Sequence, residues 1–79
     1  MSLLGESKTE ILLHVAATDE PYGYGIAETL DISLPAVYEH LNDLEEYGIL
    51  RSETGPDRRT YELTEAGEKL VEVLHSISG

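Results

Sequence analysis

The chain has 79 residues, of which 41% are hydrophobic, and this length accommodates a single folded domain. It contains no cysteine, which excludes disulfides and thiolate metal sites, and no run close to the ~18 apolar residues of a membrane-spanning helix. Sixteen acidic residues against five basic ones give a formal net charge of −11.

The acidic excess has three interpretations. It can serve general solubility, adaptation to a cytoplasm of molar salt, or the binding of basic partners and imitation of nucleic acid. Composition does not separate them, and adaptation to high salt is the one that we favour. The N-terminus lacks the basic and apolar segments of a signal peptide, so we expect a cytoplasmic protein that does not enter a membrane.

The first half of the chain predicts two helices. Ser7 and Glu10 have the spacing of a capping box, which predicts a first helix from about Lys8 to Ala17. A glycine-rich connection, Tyr22-Gly23-Tyr24-Gly25, then precedes a short second helix at about 25–30.

A third helix is predicted at about 34–47. Ser33 is suited to the N-cap, Pro35 falls in the first turn where its missing amide costs nothing, and Gly48 is suited to the left-handed residue that ends a helix.

A hairpin and a last helix complete the pattern. Short strands at about 49–53 and 60–63 flank a turn that contains Gly-Pro-Asp, so a wing is predicted at about 49–63. Thr64 is suited to cap a final helix at about 64–77.

Enzymatic chemistry is not indicated. The three histidines, His14, His40 and His75, are far apart in sequence, and the zinc pattern HExxH is missing. Neither Gly23-Tyr24-Gly25 nor Gly55-Pro56 belongs to a phosphate-binding motif. We therefore expect no enzyme, no metal site and no cofactor.

The order of elements predicts a mainly α fold with a small β-hairpin (α+β), a winged helix-turn-helix formed by one domain over residues 1–79. Such a domain inserts the N-terminal half of its third helix into the DNA major groove, while the wing contacts the backbone or minor groove. Winged helices also mediate protein–protein contacts, so a module with an acidic docking face is the alternative.

Four segments also carry a family resemblance: ILL at 11–13, YGYGIA at 22–27, VYEHLNDLEEYGIL at 37–50 and RTYELTEAG at 59–67. Together they resemble the N-terminal domain of PadR-type transcriptional regulators, over about 11–67. The resemblance implies a homodimer that binds double-stranded DNA, usually as a repressor. Dimer contacts are then expected from the Thr64–Ile77 helix or from the first helix.

Six residues at the third helix are candidates for DNA contact: Ser33, Pro35, Ala36, Tyr38, His40 and Asn42. The first three start the helix, where amides and small side chains allow close approach to phosphate. Tyr38 has two open roles, a hydroxyl for phosphate or packing against the wing. His40 and Asn42 are the expected base readers, since asparagine pairs bidentately with adenine.

Three of the five cations lie in the predicted wing. Arg58 and Arg59 are expected to contact the DNA backbone or minor groove, with Arg51 in support. Against Glu53 and Asp57, these arginines leave residues 51–60 with a balance of 3 − 2 = +1. The wing is therefore the part of the chain least repelled by phosphate.

Overall fold

A computed structural model describes residues 5–78 and contains the predicted elements in the predicted order. They are α1 (Glu6–Ala17), α2 (Gly23–Leu30), α3 (Leu34–Glu46), β1 (Leu50–Thr54), β2 (Arg59–Leu63) and α4 (Glu65–Ser78). This arrangement confirms the mainly α fold with a hairpin wing. Within 5–78, none of the helices combines the length and apolar character that crossing a membrane would need.

The start of α1 differs from the prediction. The helix begins at Glu6, and its N-cap is Gly5, which has φ 90° and makes no side-chain cap. Ser7 therefore lies inside the helix, and the capping box with Glu10 is wrong. The glycine backbone leaves the helical conformation two residues before Ser7, and the Thr9 hydroxyl donates to the Gly5 carbonyl at 2.8 Å.

The connection before α2 is a short strand-like segment that the sequence did not indicate. Tyr22 is extended and forms an isolated antiparallel bridge with Thr60, while the Tyr61 amide donates to the Pro21 carbonyl at 3.0 Å. The segment lies along β2 as the stub of a third strand. The second helix consequently begins at Gly23, two residues earlier than predicted.

Both predicted ends of α3 are confirmed. The Ser33 hydroxyl accepts a hydrogen bond from the Ala36 amide at 3.4 Å, and Pro35 lies in the first turn. At the other end Gly48 has φ 77°. Its amide donates to Glu45 and the Ile49 amide donates to the Leu44 carbonyl, both at 3.0 Å, which is the Schellman arrangement.

The wing is a two-stranded antiparallel hairpin. Its register pairs Leu50 with Leu63 and Arg51 with Glu62, and the loop 55–58 closes through the Gly55 amide and the Arg58 carbonyl at 2.9 Å. Because side chains alternate along a strand, Leu50 faces the helices and the Arg51–Glu62 pair faces outward.

The core is aliphatic apart from one tyrosine ring, as the composition requires. Its buried members come from both strands of the hairpin and from all four helices: Ile11, Leu12, Val15, Ile26, Val37, Leu41, Leu44, Leu50, Tyr61, Val71 and Leu74. An ion pair between Lys8 Nζ and Asp43 at 3.2 Å joins α1 to α3 at the margin of this core.

Thr64 joins the wing to α4, and its predicted role as N-cap is confirmed. Its hydroxyl accepts from the Gly67 amide at 3.1 Å and lies 2.6 Å from the Gly48 carbonyl and 3.0 Å from the Ile49 carbonyl. Its own amide donates to Ile49 at 3.0 Å. Gly67 packs so closely that a Cβ there would overlap the Ile49 carbonyl oxygen.

We expect Gly67→Ala to destabilise the domain, although alanine is normally the better helix former. The added methyl group must displace the Ile49 backbone just before β1, and overpacking of this kind costs about 1–3 kcal/mol. Urea unfolding measures the change. Ser76→Ala, at an exposed position of the same helix, should stay within about 0.5 kcal/mol of the wild type. A Gly67→Ala variant as stable as the wild type would contradict the close contact.

Candidate nucleic-acid interface

The outward face of α3 presents most of the predicted helix residues to solvent. Ser33, Pro35 and Asn42 are exposed, and Tyr38 is 41% exposed. Ala36 is half-buried beneath the first turn. The N-terminal half of the helix therefore offers a small, uncharged surface apart from Glu39.

His40 is less accessible to solvent than the sequence suggested. It is half-buried, and its Nδ1 atom is enclosed without a hydrogen-bond partner among residues 5–78. Only the other edge of the imidazole can meet a ligand. Asn42 is thus the more accessible of the two predicted base readers.

Tyr38 packs against α2. A Cβ added to Gly23 would lie only 2.6 Å from Cζ of the Tyr38 ring, so glycine at this position makes room for the ring. The sequence did not indicate this contact, which fixes the first turns of α3 against the start of α2. With 41% of its surface exposed, Tyr38 remains accessible from outside.

The three wing arginines have different surroundings. Nε of Arg51 lies 2.6 Å from a carboxylate oxygen of Glu62, so its charge is neutralised on the outer face of the hairpin. The guanidinium carbon of Arg58 lies 4.0 Å from the centre of the Tyr22 ring, within the range of a cation–π contact. Within the described residues, neither Arg58 nor Arg59 forms an ion pair.

The net charge of residues 51–63 is lower than that of residues 51–60. Glu62 joins Glu53 and Asp57, so three arginines face three carboxylates over 51–63 and the sum is 3 − 3 = 0. Because Glu62 forms an ion pair with Arg51, the unpaired positive charges of the wing are those of Arg58 and Arg59 at the end of the hairpin.

Tyr61 links the wing to α3. The side chain is only 2% exposed, and its hydroxyl has no hydrogen-bond partner among residues 5–78. Burial raises the pKa of this hydroxyl above its ordinary value of 10.0, and the neighbouring Arg59 guanidinium opposes the rise. Glu45 and Tyr38, both on α3, raise the pKa of the hydroxyl further, although less than burial does.

Sequence reasoning missed Tyr22 as a member of this surface. Its bridge to Thr60 and its ring contact with Arg58 depend on residues far away in the chain. The one local signal was the alternation of glycine and tyrosine at 22–25, which indicates rings packed on a bare backbone.

Three helices, of which the third is capped and exposed, are followed by a two-stranded wing, and this arrangement defines the winged helix-turn-helix class of domain. The chain belongs to the transcriptional regulator PadR-like family, whose model matches residues 12–73. This family consists of transcription regulators rather than enzymes, in agreement with the sequence prediction.

Solved structures of regulators share the fold. MepR, a transcription regulator of the Staphylococcus aureus multidrug efflux pump MepA, superposes with a TM-score of 0.86 at 28% identity, over 91% of this chain and 56% of MepR. A MepR–DNA complex superposes with a TM-score of 0.84 at 27% sequence identity, over 92% of this chain and 63% of the MepR chain. MarR from E. coli, at 18% identity and TM-score 0.82, supports the fold alone, over 89% and 52%. This chain spans little more than half of these regulators.

A further similarity is to part of an enzyme subunit. The phenylalanine–tRNA ligase alpha subunit of Methanopyrus kandleri is 35% identical over 86 residues, which cover 96% of this chain but 16% of that subunit. The similarity concerns a small part of the ligase subunit.

The Tyr61 hydroxyl should make stability depend on alkaline pH. Because its pKa is raised on folding, the folded state holds the proton more tightly than the unfolded state. The resulting stabilisation is intact below pH 10 and is lost as the pH rises above that value. Urea unfolding at about pH 8 and pH 11 should show a smaller loss for Tyr61→Phe than for the wild type.

Tyr47→Phe, at a site that is 57% exposed, is the matched control and should keep the wild-type dependence. At pH 8, Tyr61→Phe should cost little, because it removes a buried hydroxyl that has no protein partner. Equal alkaline losses in all three proteins would contradict this role of Tyr61.

Proposed function

We propose that this domain is a sequence-specific DNA-binding transcriptional regulator that acts as a homodimer and represses transcription. The observation that carries the proposal is the pairing of an accessible α3 N-terminus with two wing arginines that have no carboxylate partner among residues 5–78. The repressor role rests on the family resemblance. A DNA partner also agrees with a cytoplasmic location.

The first half of α3 suits the major groove. The first-turn amides of the helix and the small side chains of Ser33, Pro35 and Ala36 allow the backbone to come close to phosphate. Asn42 is exposed and can pair with adenine, and the open edge of His40 is the second polar reader. Tyr38 can add a hydroxyl to a phosphate while its ring stays against Gly23.

The wing supplies the contacts to the DNA backbone. Arg58 and Arg59 lie in or next to the loop at its end. Arg51 supports them only indirectly, through its ion pair with Glu62 across the two strands. MepR, a regulator with this fold and 27% identity, has been crystallised in complex with DNA, which supports a DNA partner for this domain.

Net charge limits how strongly such a domain binds. Two free arginines neutralise few phosphates, so the affinity should fall only slowly with added salt. In molar salt the Debye length is ~3 Å, and repulsion between distant carboxylates and DNA is screened. The charge of −11 is therefore compatible with DNA binding in a high-salt cytoplasm, the setting that we propose.

Removing both arginines should weaken binding to every DNA sequence. We expect Arg58→Ala with Arg59→Ala to reduce affinity about uniformly and to lower the salt slope by about 1 for each lost phosphate contact. Fluorescence anisotropy with genomic duplexes, from dilute buffer to molar KCl, measures both. Lys69→Ala removes the same type of charge from α4, where Lys69 lies 3.8 Å from Glu65, and should have little effect.

Changes on the helix should act differently from changes on the wing. Asn42→Ala should reduce discrimination between sites by about 1–3 kcal/mol at one base pair, with a smaller loss of non-specific affinity. A wild type without specific binding at any salt would refute the proposal. Preference for transfer RNA over every duplex would instead favour a role related to the ligase subunit.

The homodimer is proposed to form through α4. Val71 and Leu74 of this helix face the core, whereas Val73 and Ile77 are 47% and 70% exposed and lie one turn apart on an outer face. An apolar stripe of this kind gains stability when a second copy covers it. The dimer should place its two recognition helices one DNA turn, ~34 Å, apart.

Charges on the outer stripe of α4 should dissociate the dimer. With Val73→Glu and Ile77→Glu combined, we expect a folded monomer in sedimentation velocity and weaker binding to two-site DNA. Ser76→Glu adds a carboxylate to an exposed position of the same helix and should leave the dimer intact. A wild type that stays monomeric at high micromolar concentration, with and without DNA, would refute this interface.

A further inference from the structure

The Tyr22 ring lies between α2 and the wing. A Cβ added to Gly25 would be 3.1 Å from two atoms of the ring. The guanidinium carbon of Arg58 is 4.0 Å from the ring centre. The Tyr22 backbone is fixed as well, through the bridge to Thr60. The ring is thus stacked with the guanidinium of the wing loop and is also in close approach to the second helix.

A stacked guanidinium keeps its capacity to bind phosphate. The ring attracts the flat face of the group, whereas its five N–H donors lie in the plane and point away from the stack. Phosphate oxygens are met edge-on, by two parallel N–H groups. The contact with Tyr22 and a contact with DNA can therefore exist together, and the first restricts the rotamers of Arg58 in advance of the second.

The carboxylates around the loop make this restriction important. Glu20, Glu53 and Asp57 line the same groove as Arg58, yet none of them pairs with it in the described part of the chain. An arginine released from the ring would be free to turn toward these acids. Its charge would then be neutralised, as that of Arg51 is by Glu62.

We propose that Tyr22 is a positioning residue for DNA binding, which holds Arg58 on its ring with the donor edge open to phosphate. The proposal rests on the proposed DNA-binding function. Gly25 contributes to this arrangement because a side chain there would be in tight contact with the ring and would shift it. Tyr22 itself need not contact DNA.

A double-mutant cycle tests the role of the ring. Tyr22→Leu should weaken binding to duplex DNA by about 3- to 10-fold, the scale expected when a long side chain must be immobilised on binding. In an Arg58→Ala background the same change should have no further effect, since Arg58 is the group through which the ring acts. Tyr22→Phe keeps the aromatic face and should bind like the wild type.

Arg59 provides the control for damage to the wing. If Tyr22→Leu acts only through Arg58, the loss caused by Arg59→Ala should be the same with tyrosine or leucine at position 22. A smaller loss in the leucine background would show that the whole wing has moved, which would overturn the specific role. Thermal unfolding of each variant shows whether it is folded under the binding conditions.

A measurement without DNA separates the two proposals. The ring current of Tyr22 should shift the side-chain protons of Arg58 upfield in the wild type and in Tyr22→Phe, but not in Tyr22→Leu. A wild type lacking this shift would overturn the stack. Suppose that the wild type binds DNA. If Tyr22→Leu then binds equally well, or if the affinity lost through Tyr22→Leu adds to that lost through Arg58→Ala, the positioning role of Tyr22 is refuted and the DNA-binding proposal stands. If the wild type binds no duplex at any salt, the proposed function fails and the positioning role fails with it.

Discussion

One threonine hydroxyl lies where α3, the wing and α4 meet. The Thr64 side chain caps α4 through the Gly67 amide and lies within hydrogen-bond distance of the Gly48 and Ile49 carbonyls, where α3 has just ended. Gly48 turns the chain with a left-handed backbone, and Gly67 lets α4 approach β1 without an intervening side chain. The direction of the hairpin relative to α3 follows from this junction, and so does the position of every wing arginine.

The distribution of charge over this frame explains how an acidic domain can keep a site for an anion. Lys8, Arg51 and Lys69 each lie within 4 Å of a carboxylate, on α1, on the outer side of the wing and on α4. Arg58 lies over the Tyr22 ring instead, Arg59 is a neighbour of the Tyr61 hydroxyl, and neither has a carboxylate partner among residues 5–78. Aromatic rings restrain a cation without neutralising it, whereas carboxylates do both.

Local signals predicted the helix ends and the hairpin, and long-range contacts determined what the sequence could not show. Ser33, Gly48 and Thr64 act within a few residues of their own positions, so the third helix and the start of the fourth were correctly placed. The expected cap at Ser7 is wrong because Gly5, which has a non-helical backbone, is the N-cap residue and the helix begins at Glu6. The neutralisation of Arg51 depends on strand register and the enclosure of His40 on tertiary packing, neither of which hydrophobic spacing reveals.

The absence of clearance at Gly67 has a mechanical consequence. A helix of 14 residues is about 21 Å long, and α4 is anchored at its first turn to the root of the wing. Further along the helix, Val71 and Leu74 are buried in the core, so α4 is held along its length and not only at Gly67. One packed helix thus connects the base of the hairpin with the exposed side chains of Val73 and Ile77, so a partner bound at that end of α4 would be joined to the wing through continuous structure.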